Sequence, residues 1–357
     1  MNSAYRFMPD ANTGFLTDED TKKYISRVAL ALFAFEIASF VAAYALAFVL
    51  SGVLSGIYPD LLSSADFVAI ANNLLNVLAL YCIALPVFCV IVSPLPKIKP
   101  YKEKLDAKGF VGGLCVCIFA MTIGSSISQS IIISFQQITG RSLTNPVDEM
   151  VGQSSLWIDI VFVAVLVPIL EELFFRKLLC NKLLPLGEGY AIILSSVIFG
   201  LSHGNLFQFC YAFFVGLVLS LIYVKTGRIL YGVIYHMFLN FTGGVLITLL
   251  TKNIDYDGLE ILLYDIEQGS ATTEQMLPFL QQMMPLLIYE MIIGIMGIIG
   301  LVLMLRAFKK KTIRVEEGIL PPPKKHRVAN VLCTVGSAAL ITAYAFFFVL
   351  SVVPSLQ

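Results

Sequence analysis

Two adjacent glutamates, Glu171 and Glu172, stand inside an otherwise apolar run, VAVLVPILEELFFRKLL. Because a carboxylate is costly to keep in hydrocarbon, an ionisable pair in a membrane segment is by default a candidate functional site. Glu172 and Arg176 are four residues apart, so they share a helix face and can form an ion pair. Glu171 lies about 100° further round the helix, so it can point into a cavity and act as a general base.

Two of the three histidines fall on the next apolar segments. His203 follows Phe199 by four residues, and His236 precedes Asn240 by four residues. Amide hydrolysis needs a base for water, an acid for the leaving amine and donors for the oxyanion. Glutamate and histidine can supply the first two, and histidine with asparagine can supply the third. Zinc chemistry is the alternative, since Glu171, His203 and His236 could ligate the ion and leave one position for water.

The elements that carry these residues are membrane helices. Of the 357 residues, 58% are hydrophobic and 13% are charged, whereas soluble domains contain about 25% charged residues. Repeated apolar stretches long enough to span a bilayer predict an all-α, polytopic transmembrane bundle. We expect about nine spans, at 28–56, 67–93, 109–137, 156–180, 189–204, 206–224, 229–250, 284–306 and 329–353.

Basic residues predict the orientation of the chain. Twenty-two of the 24 Lys and Arg residues lie in the N-terminal region or in every second loop, and only Arg141 and Lys252 lie in the alternate loops. Because cytoplasmic loops carry the excess of Lys and Arg, a multi-pass protein of the cell membrane is expected, with its N-terminus in the cytoplasm and its C-terminus outside. The same bias accounts for the basic residues without a nucleic-acid partner.

Composition divides the chain into five regions. They are a cytoplasmic polar tail (1–27), N-terminal membrane helices (28–153), catalytic helices (154–250), an external loop (251–283) and C-terminal membrane helices (284–357). The last region contains a basic cytoplasmic linker at 307–328, with three consecutive prolines, which is expected to lie near anionic lipid. The acidic loop 251–283 is long enough to hold one or two short amphipathic helices.

The order Glu-Glu-x-x-x-Arg, Phe-x-x-x-His and His-x-x-x-Asn on successive helices resembles the CAAX protease and bacteriocin-processing (CPBP) family of intramembrane endopeptidases. The resemblance covers roughly residues 155–245 and implies a helical membrane fold with a conical cavity open toward the cytoplasm and the lipid. It implies that Glu171 and His203 activate a water, while His236 and Asn240 stabilise the oxyanion. The candidate catalytic residues are thus Glu171, Glu172, His203, His236 and Asn240, with Arg176 and Phe199 as structural support.

The cofactor and the substrate stay open at this stage. The family is often called metalloprotease, although a glutamate mechanism without metal has been proposed for it. Because Asn240 is a poor zinc ligand and a good oxyanion donor, a mechanism without tightly held metal is slightly favoured. A prenylated protein, a pheromone precursor and a bacteriocin-related peptide are all compatible substrates. The alternatives to a protease are an ion-coupled transporter that uses the buried carboxylates and a catalytically inactive membrane scaffold.

Overall fold

The computed structural model describes residues 15–140, 143, 145 and 155–352. When contiguous helical segments are counted together, these residues form 11 helices. Outside the helices, the described residues contain no strand and one isolated bridge between Gly187 and Glu317. The predicted all-α class is confirmed. The helices are α1 (Asp18–Ile57), α2 (Ala65–Val92), α3 (Ala107–Thr139), α4 (156–183), α5 (Glu188–Leu201), α6 (Leu206–Thr226), α7 (Ile229–Thr251), α8 (Tyr256–Glu267), α9 (Thr273–Lys309), α10 (Arg327–Leu332) and α11 (Val335–Val352).

Six of these helices, α1, α2, α3, α6, α7 and α9, are long and apolar enough to cross a membrane. The other three predicted spans are also helical, but α4 carries the charged residues of the motif, and α5 and α11 are shorter apolar helices. With 14 residues, α5 is about 21 Å long, which is less than the ~30 Å hydrocarbon core of a bilayer. The count of nine spans is therefore approximate.

Capping residues show that two helices begin earlier in the sequence than the apolar pattern predicts. Thr17 precedes α1 and its side chain accepts a hydrogen bond from the Asp20 N–H. Thr272 and Gln275 form a reciprocal capping box at the start of α9. Because these side chains satisfy N–H groups that a helix start leaves without partners, α1 and α9 begin in polar sequence, before their apolar segments. The predicted loop 251–283 consequently contains α8 and the first turns of α9.

Aromatic side chains join the N-terminal helices to α4. Phe174 on α4 stacks on Phe35 of α1, with ring centroids 4.7 Å apart. It also meets the edge of Phe88 on α2 at 5.1 Å. All three side chains belong to one buried hydrophobic cluster. This packing fixes the part of α4 that follows the two glutamates.

Glycines allow α6 to pack closely between its neighbours. A Cβ atom at Gly124 of α3 would overlap the backbone of Tyr211, and one at Gly200 of α5 would lie 2.9 Å from the Phe209 carbonyl oxygen. A larger residue at either position would push the helices apart. The two glycines thus set the distance of α6 from α3 and α5.

The segment between α9 and α10, residues 310–326, is here called the linker. Its backbone binds the turn between α4 and α5: Leu320 N–H donates to the Pro185 carbonyl (2.8 Å), and Glu188 N–H donates to the Glu316 carbonyl (3.0 Å). A side chain at Gly318 would overlap the Pro185 carbonyl oxygen. The linker is therefore packed against the connection between α4 and α5.

Candidate active site

The glutamate pair lies on α4 between two π-helical segments, Ile160–Leu166 and Leu173–Cys180. A further π-helical segment, Phe241–Leu246, follows Asn240 on α7. Such segments widen the helix and shift its backbone hydrogen bonds, and they occur frequently at functional sites. The backbone around the predicted site residues is therefore not a regular α-helix.

Glu172 is fully buried and contacts two cationic or protonatable groups. Its Oε2 lies 3.3 Å from Arg176 Nε, and both side chains are 0% exposed. Its Oε1 lies 3.2 Å from Nδ1 of His236 on α7. The Arg176 contact is the one that the four-residue spacing predicts. Glu172 thereby connects α4 to α7, across 64 residues of sequence.

Glu171 is the more accessible member of the pair, with 19% of its side chain exposed. Its Oε2 lies 3.5 Å from His236 Nε2. The two ring nitrogens of His236 thus face the two glutamates, Nδ1 toward Glu172 and Nε2 toward Glu171. Because Glu172 is held by Arg176 and is inaccessible, Glu171 is the carboxylate that can reach a water or a ligand.

His203 lies in the turn between α5 and α6, which reverses the chain at Gly204 with φ of +66°. Its Nδ1 is 2.8 Å from the Phe199 carbonyl oxygen. A carbonyl oxygen can only accept a hydrogen bond, so Nδ1 carries a proton and Nε2 is left to accept one. The four-residue spacing in Phe199-x-x-x-His203 therefore fixes the orientation and the tautomer of this imidazole.

The Phe199 ring joins both histidines to Arg176. It is 1% exposed and meets the His203 ring at 5.1 Å and the His236 ring at 5.6 Å, edge to face in both cases. The Arg176 guanidinium carbon lies 4.7 Å from the Phe199 ring centroid. A cation over an aromatic face is favourable, particularly when it is desolvated. Phe199 and Arg176 therefore support the histidines by packing.

Asn240 is held by the irregular backbone of α4. Its Nδ2 donates to the Val163 carbonyl at 3.0 Å. In this π-helical turn the Val167 N–H donates to the Phe162 carbonyl, five residues earlier. By the same pattern residue 168 would donate to the Val163 carbonyl, but Pro168 has no N–H. The Val163 carbonyl is thus left to accept the Asn240 amide. One of the two Nδ2 hydrogens is used in this bond, and the other is available to a ligand.

Gly232 is a site residue that the sequence analysis missed. It precedes His236 by one helical turn on α7, and a Cβ atom there would lie 2.6 Å from Glu172 Oε2. Gly232 thus makes room for the buried carboxylate beside α7. Its position four residues before the histidine, on the same face of the helix, is the signal that could have identified it.

The described residues contain no group of three His, Cys, Asp or Glu side chains placed to hold a metal ion. Of the three predicted zinc ligands, His236 faces the two glutamates and His203 binds a backbone carbonyl through Nδ1. Among the described residues, Glu171, His203 and His236 do not form a group placed to hold a zinc ion.

Fold and site together define a multi-pass helical membrane protein with a buried cluster of glutamate, histidine and arginine. Residues 153–242 match the family model described as type II CAAX prenyl endopeptidase Rce1-like. The membrane-embedded CAAX protease MroQ of Staphylococcus aureus (strain USA300) is 30% identical over 154 residues, which are 40% of this chain and 59% of that protein. The resemblance to the CAAX protease and bacteriocin-processing family is thereby confirmed for this part of the chain. No solved structure matches the chain.

Proposed function

We propose that this protein is an intramembrane endopeptidase that hydrolyses a peptide bond in a membrane-associated or lipidated protein or peptide. The observation that carries the proposal is the buried cluster in which His236 lies between Glu171 and Glu172 while His203 shares the Phe199 ring with it. Acid–base groups inside a membrane bundle are costly and are typically functional. The family match and the membrane-embedded CAAX protease relative support the same class of activity.

In the proposed reaction, Glu171 and His203 activate the attacking water. Glu171 is accessible to water, and His203 presents Nε2 because its Nδ1–H is bound to the Phe199 carbonyl. As the water oxygen forms a bond to the substrate carbonyl carbon, Glu171 takes one proton from it. When the carbon–nitrogen bond breaks, that proton passes to the leaving amine, directly or through His203.

His236 and Asn240 are the proposed donors for the oxyanion. With both ring nitrogens protonated, His236 directs Nδ1–H to Glu172 and presents Nε2–H on the side of Glu171. Asn240 contributes the Nδ2 hydrogen that the Val163 carbonyl does not use. Donors fixed in advance at the position of a developing negative charge lower the barrier because they need no reorganisation.

A series of folded, detergent-purified variants tests the assignment through the rate at which they cleave a reporter peptide. Glu171→Gln and His203→Ala should lower the rate about 10²–10⁴-fold, as expected for loss of a general base. Asn240→Ala should lower it about 10²–10³-fold. His326→Ala is the matched control, because His326 is an exposed linker residue. Near-normal cleavage by Glu171→Gln would contradict the proposed mechanism.

The transporter alternative predicts different behaviour in the same preparation. A transporter would give ion-dependent uptake in proteoliposomes that Glu171→Gln abolishes, without peptide cleavage. The inactive-scaffold alternative predicts neither uptake nor cleavage. The family and relative both belong to the protease class and therefore favour cleavage.

Metal dependence is tested separately. If a zinc ion were the catalyst, active protein would contain about one equivalent of it, and chelation would abolish cleavage reversibly. We expect weak or partial dependence, because Asn240 is a poor zinc ligand and a good oxyanion donor and the described residues contain no group placed to hold a metal ion. Complete loss of cleavage on chelation, restored by zinc, would show that the mechanism without metal is wrong.

The proposed orientation has the N-terminus in the cytoplasm and the C-terminus outside. It is supported by the distribution of Lys and Arg along the sequence. Reporter domains fused after Gln357 test it: an exported reporter should be active there, and a reporter that functions in the cytoplasm should be inactive. The opposite result would overturn the expected number of spans.

A further inference from the structure

The turn between α5 and α6 contains a buried amide side chain, Asn205, that has no role in the reaction proposed above. Asn205 is 5% exposed and directly precedes the first residue of α6. Gly204, with φ of +66°, is the one residue between Asn205 and His203. The amide therefore lies beside the backbone of a residue that is proposed to act on the water.

The Asn205 side chain makes three hydrogen bonds within this turn. Its Nδ2 donates to the His203 carbonyl at 2.8 Å and to Gln208 Oε1 at 2.8 Å. Its Oδ1 accepts from the Gln208 N–H at 2.9 Å. Both Nδ2 hydrogens and the oxygen are thus bonded, and a buried polar group that is satisfied in this way is rigid.

The backbone N–H of Gln208 fixes which branch of the amide faces His203. A backbone nitrogen can only donate, so the Asn205 atom that faces it is the oxygen, and the Nδ2 branch faces the His203 carbonyl. The reverse orientation would place Oδ1 against a carbonyl oxygen that has no proton to give. Asn205 therefore combines two functions: its oxygen caps α6, and its nitrogen binds His203.

His203 is thereby held on both sides of its Cα atom. Its ring is bonded through Nδ1 to the Phe199 carbonyl, one turn earlier on α5. Its own carbonyl is bonded to Asn205, at the start of α6. The residue between them, Gly204, has wide conformational freedom, so it restrains the His203 peptide group weakly by itself. The direction of His203 Nε2 thus depends on the bond to Asn205 as well as on the bond to Phe199.

We propose that Asn205 is a positioning residue that aims His203 Nε2 at the water shared with Glu171, by holding the His203 carbonyl. The inference rests on the proposed function, because it concerns how His203 is held during hydrolysis. Gln208 supports Asn205 by accepting its second Nδ2 hydrogen. Asn205 and Gln208 lie outside the three motifs on which the family resemblance depends.

Asn205→Ser tests the inference, because it separates the two functions of the amide. Serine caps a helix about as well as asparagine does, so the Gln208 N–H keeps an acceptor while the Nδ2 donor to His203 is lost. We expect kcat for reporter-peptide cleavage to fall about tenfold, the effect of losing about one hydrogen bond in the transition state. The KM should stay within about twofold and the melting temperature should be nearly unchanged, because the cap is retained.

Two further variants show which function of the amide is responsible. Asn205→Ala removes the cap as well, so it should lower kcat by the same factor of about ten and also lower the melting temperature by a few degrees. Asp255→Ser is the matched control, because Asp255 caps α8 by accepting from the Gly258 N–H at 3.0 Å. It exchanges one capping residue for another away from His203 and should leave kcat unchanged.

Gln208 gives a second test that does not depend on the yield of one variant. Gln208→Leu removes the Oε1 acceptor and keeps the backbone N–H that binds Asn205 Oδ1. Asn205 can then still donate to His203, so kcat should fall only about two- to threefold. The double variant with Asn205→Ser should be no slower than Asn205→Ser alone, because residues that act through one group are not additive.

The outcomes separate this inference from the proposed function. Normal kcat in Asn205→Ser, beside an inactive His203→Ala, would refute the role of Asn205 and leave the protease mechanism intact. A melting temperature that falls as far in Asn205→Ser as in Asn205→Ala would also refute it, because the amide would then support the fold. Normal cleavage by His203→Ala would refute the use of His203 in the mechanism, and the role of Asn205 with it. An equal fall in kcat for Asp255→Ser would show that the effect is not specific to the site.

Discussion

Glutamates lie between helices in two separate regions of the bundle, and they have different surroundings. Glu36 on α1 accepts a hydrogen bond from the Tyr344 hydroxyl of α11 at 2.8 Å. Glu172 on α4 contacts a guanidinium and an imidazole, and its neighbour Glu171 reaches the other side of the same imidazole. A neutral hydroxyl partner is sufficient for a carboxyl group that joins two helices. Proton transfer needs an accessible carboxylate with an acid–base group such as imidazole beside it. Of the two regions, the α4 region has both, because Glu171 is accessible and contacts His236.

The largest expected difference between the two regions is in catalysis. Glu171→Gln should lower the cleavage rate about 10²–10⁴-fold, whereas Glu36→Gln should leave it nearly unchanged, because Gln can still accept the Tyr344 hydrogen bond. Cleavage rates of the two purified variants, measured side by side, check this expectation. Equal losses of cleavage rate would mean that Glu36 matters for cleavage as much as Glu171, and the expected difference between the two regions would be wrong.

The next effect is on the free energy of unfolding. Arg176→Ala would leave the fully buried Glu172 without its guanidinium partner, which typically costs about 3–5 kcal/mol. It would also remove the cation from the face of the Phe199 ring. We expect a large fall in melting temperature in detergent as well as loss of cleavage.

Lys177→Ala is the control for Arg176→Ala, because Lys177 is the next residue of α4 and is exposed. It should change neither melting temperature nor cleavage measurably. If Arg176→Ala were as stable as Lys177→Ala, the contact between Arg176 and Glu172 would not contribute to the fold.

A smaller effect is expected where α7 approaches the glutamate pair. Gly232→Ala places a methyl group 2.6 Å from Glu172 Oε2, and such overpacking usually costs about 1–3 kcal/mol. Cleavage should fall with stability, because Glu172 orients His236. Gly244→Ala on the same helix is the control, since a Cβ atom there meets nothing within 4 Å. Identical melting temperatures for the two variants would show that Gly232 is not needed for close approach.

The smallest effect is expected at Glu36. Tyr344→Phe removes the hydroxyl that binds this carboxyl group and should cost about 0.5–1.5 kcal/mol of unfolding free energy without changing kcat. Tyr44→Phe on α1 is the matched control, because Tyr44 is 66% exposed. A change in kcat for Tyr344→Phe would indicate that the Glu36 region is coupled to the α4 region that contains Glu171 and Glu172.

Periodicity and spacing could predict the membrane helices and which polar residues share a helix face, because these are local properties of the chain. Phe199 and His203, or His236 and Asn240, are one helical turn apart, so their shared faces follow from the sequence. Which helix each face meets does not follow. The contact between Glu172 and His236 depends on how α7 packs against α4, and that packing depends on Gly232.

The backbone irregularities of α4 were also beyond the sequence analysis. Pro168 lies within the apolar run, and a proline removes one backbone donor. The consequence, a Val163 carbonyl free to hold Asn240, depends on the π-helical turn that the chain adopts around it. Local propensity does not specify such a turn, because its hydrogen bonds compete with ordinary α-helical ones.

The linker binds the turn between α4 and α5 almost entirely through main-chain atoms, with Glu316 and Leu320 contributing a carbonyl and an N–H group. Most linker side chains can therefore be exchanged without loss of this binding, while the path of the chain has to stay the same. Gly318 and Leu320 are exceptions, because any side chain at position 318 would displace the Pro185 carbonyl and the Leu320 side chain is buried in the hydrophobic cluster. Tolerance to substitution in this segment should thus follow backbone geometry, with proline at position 320 and any residue other than glycine at position 318 as the damaging changes.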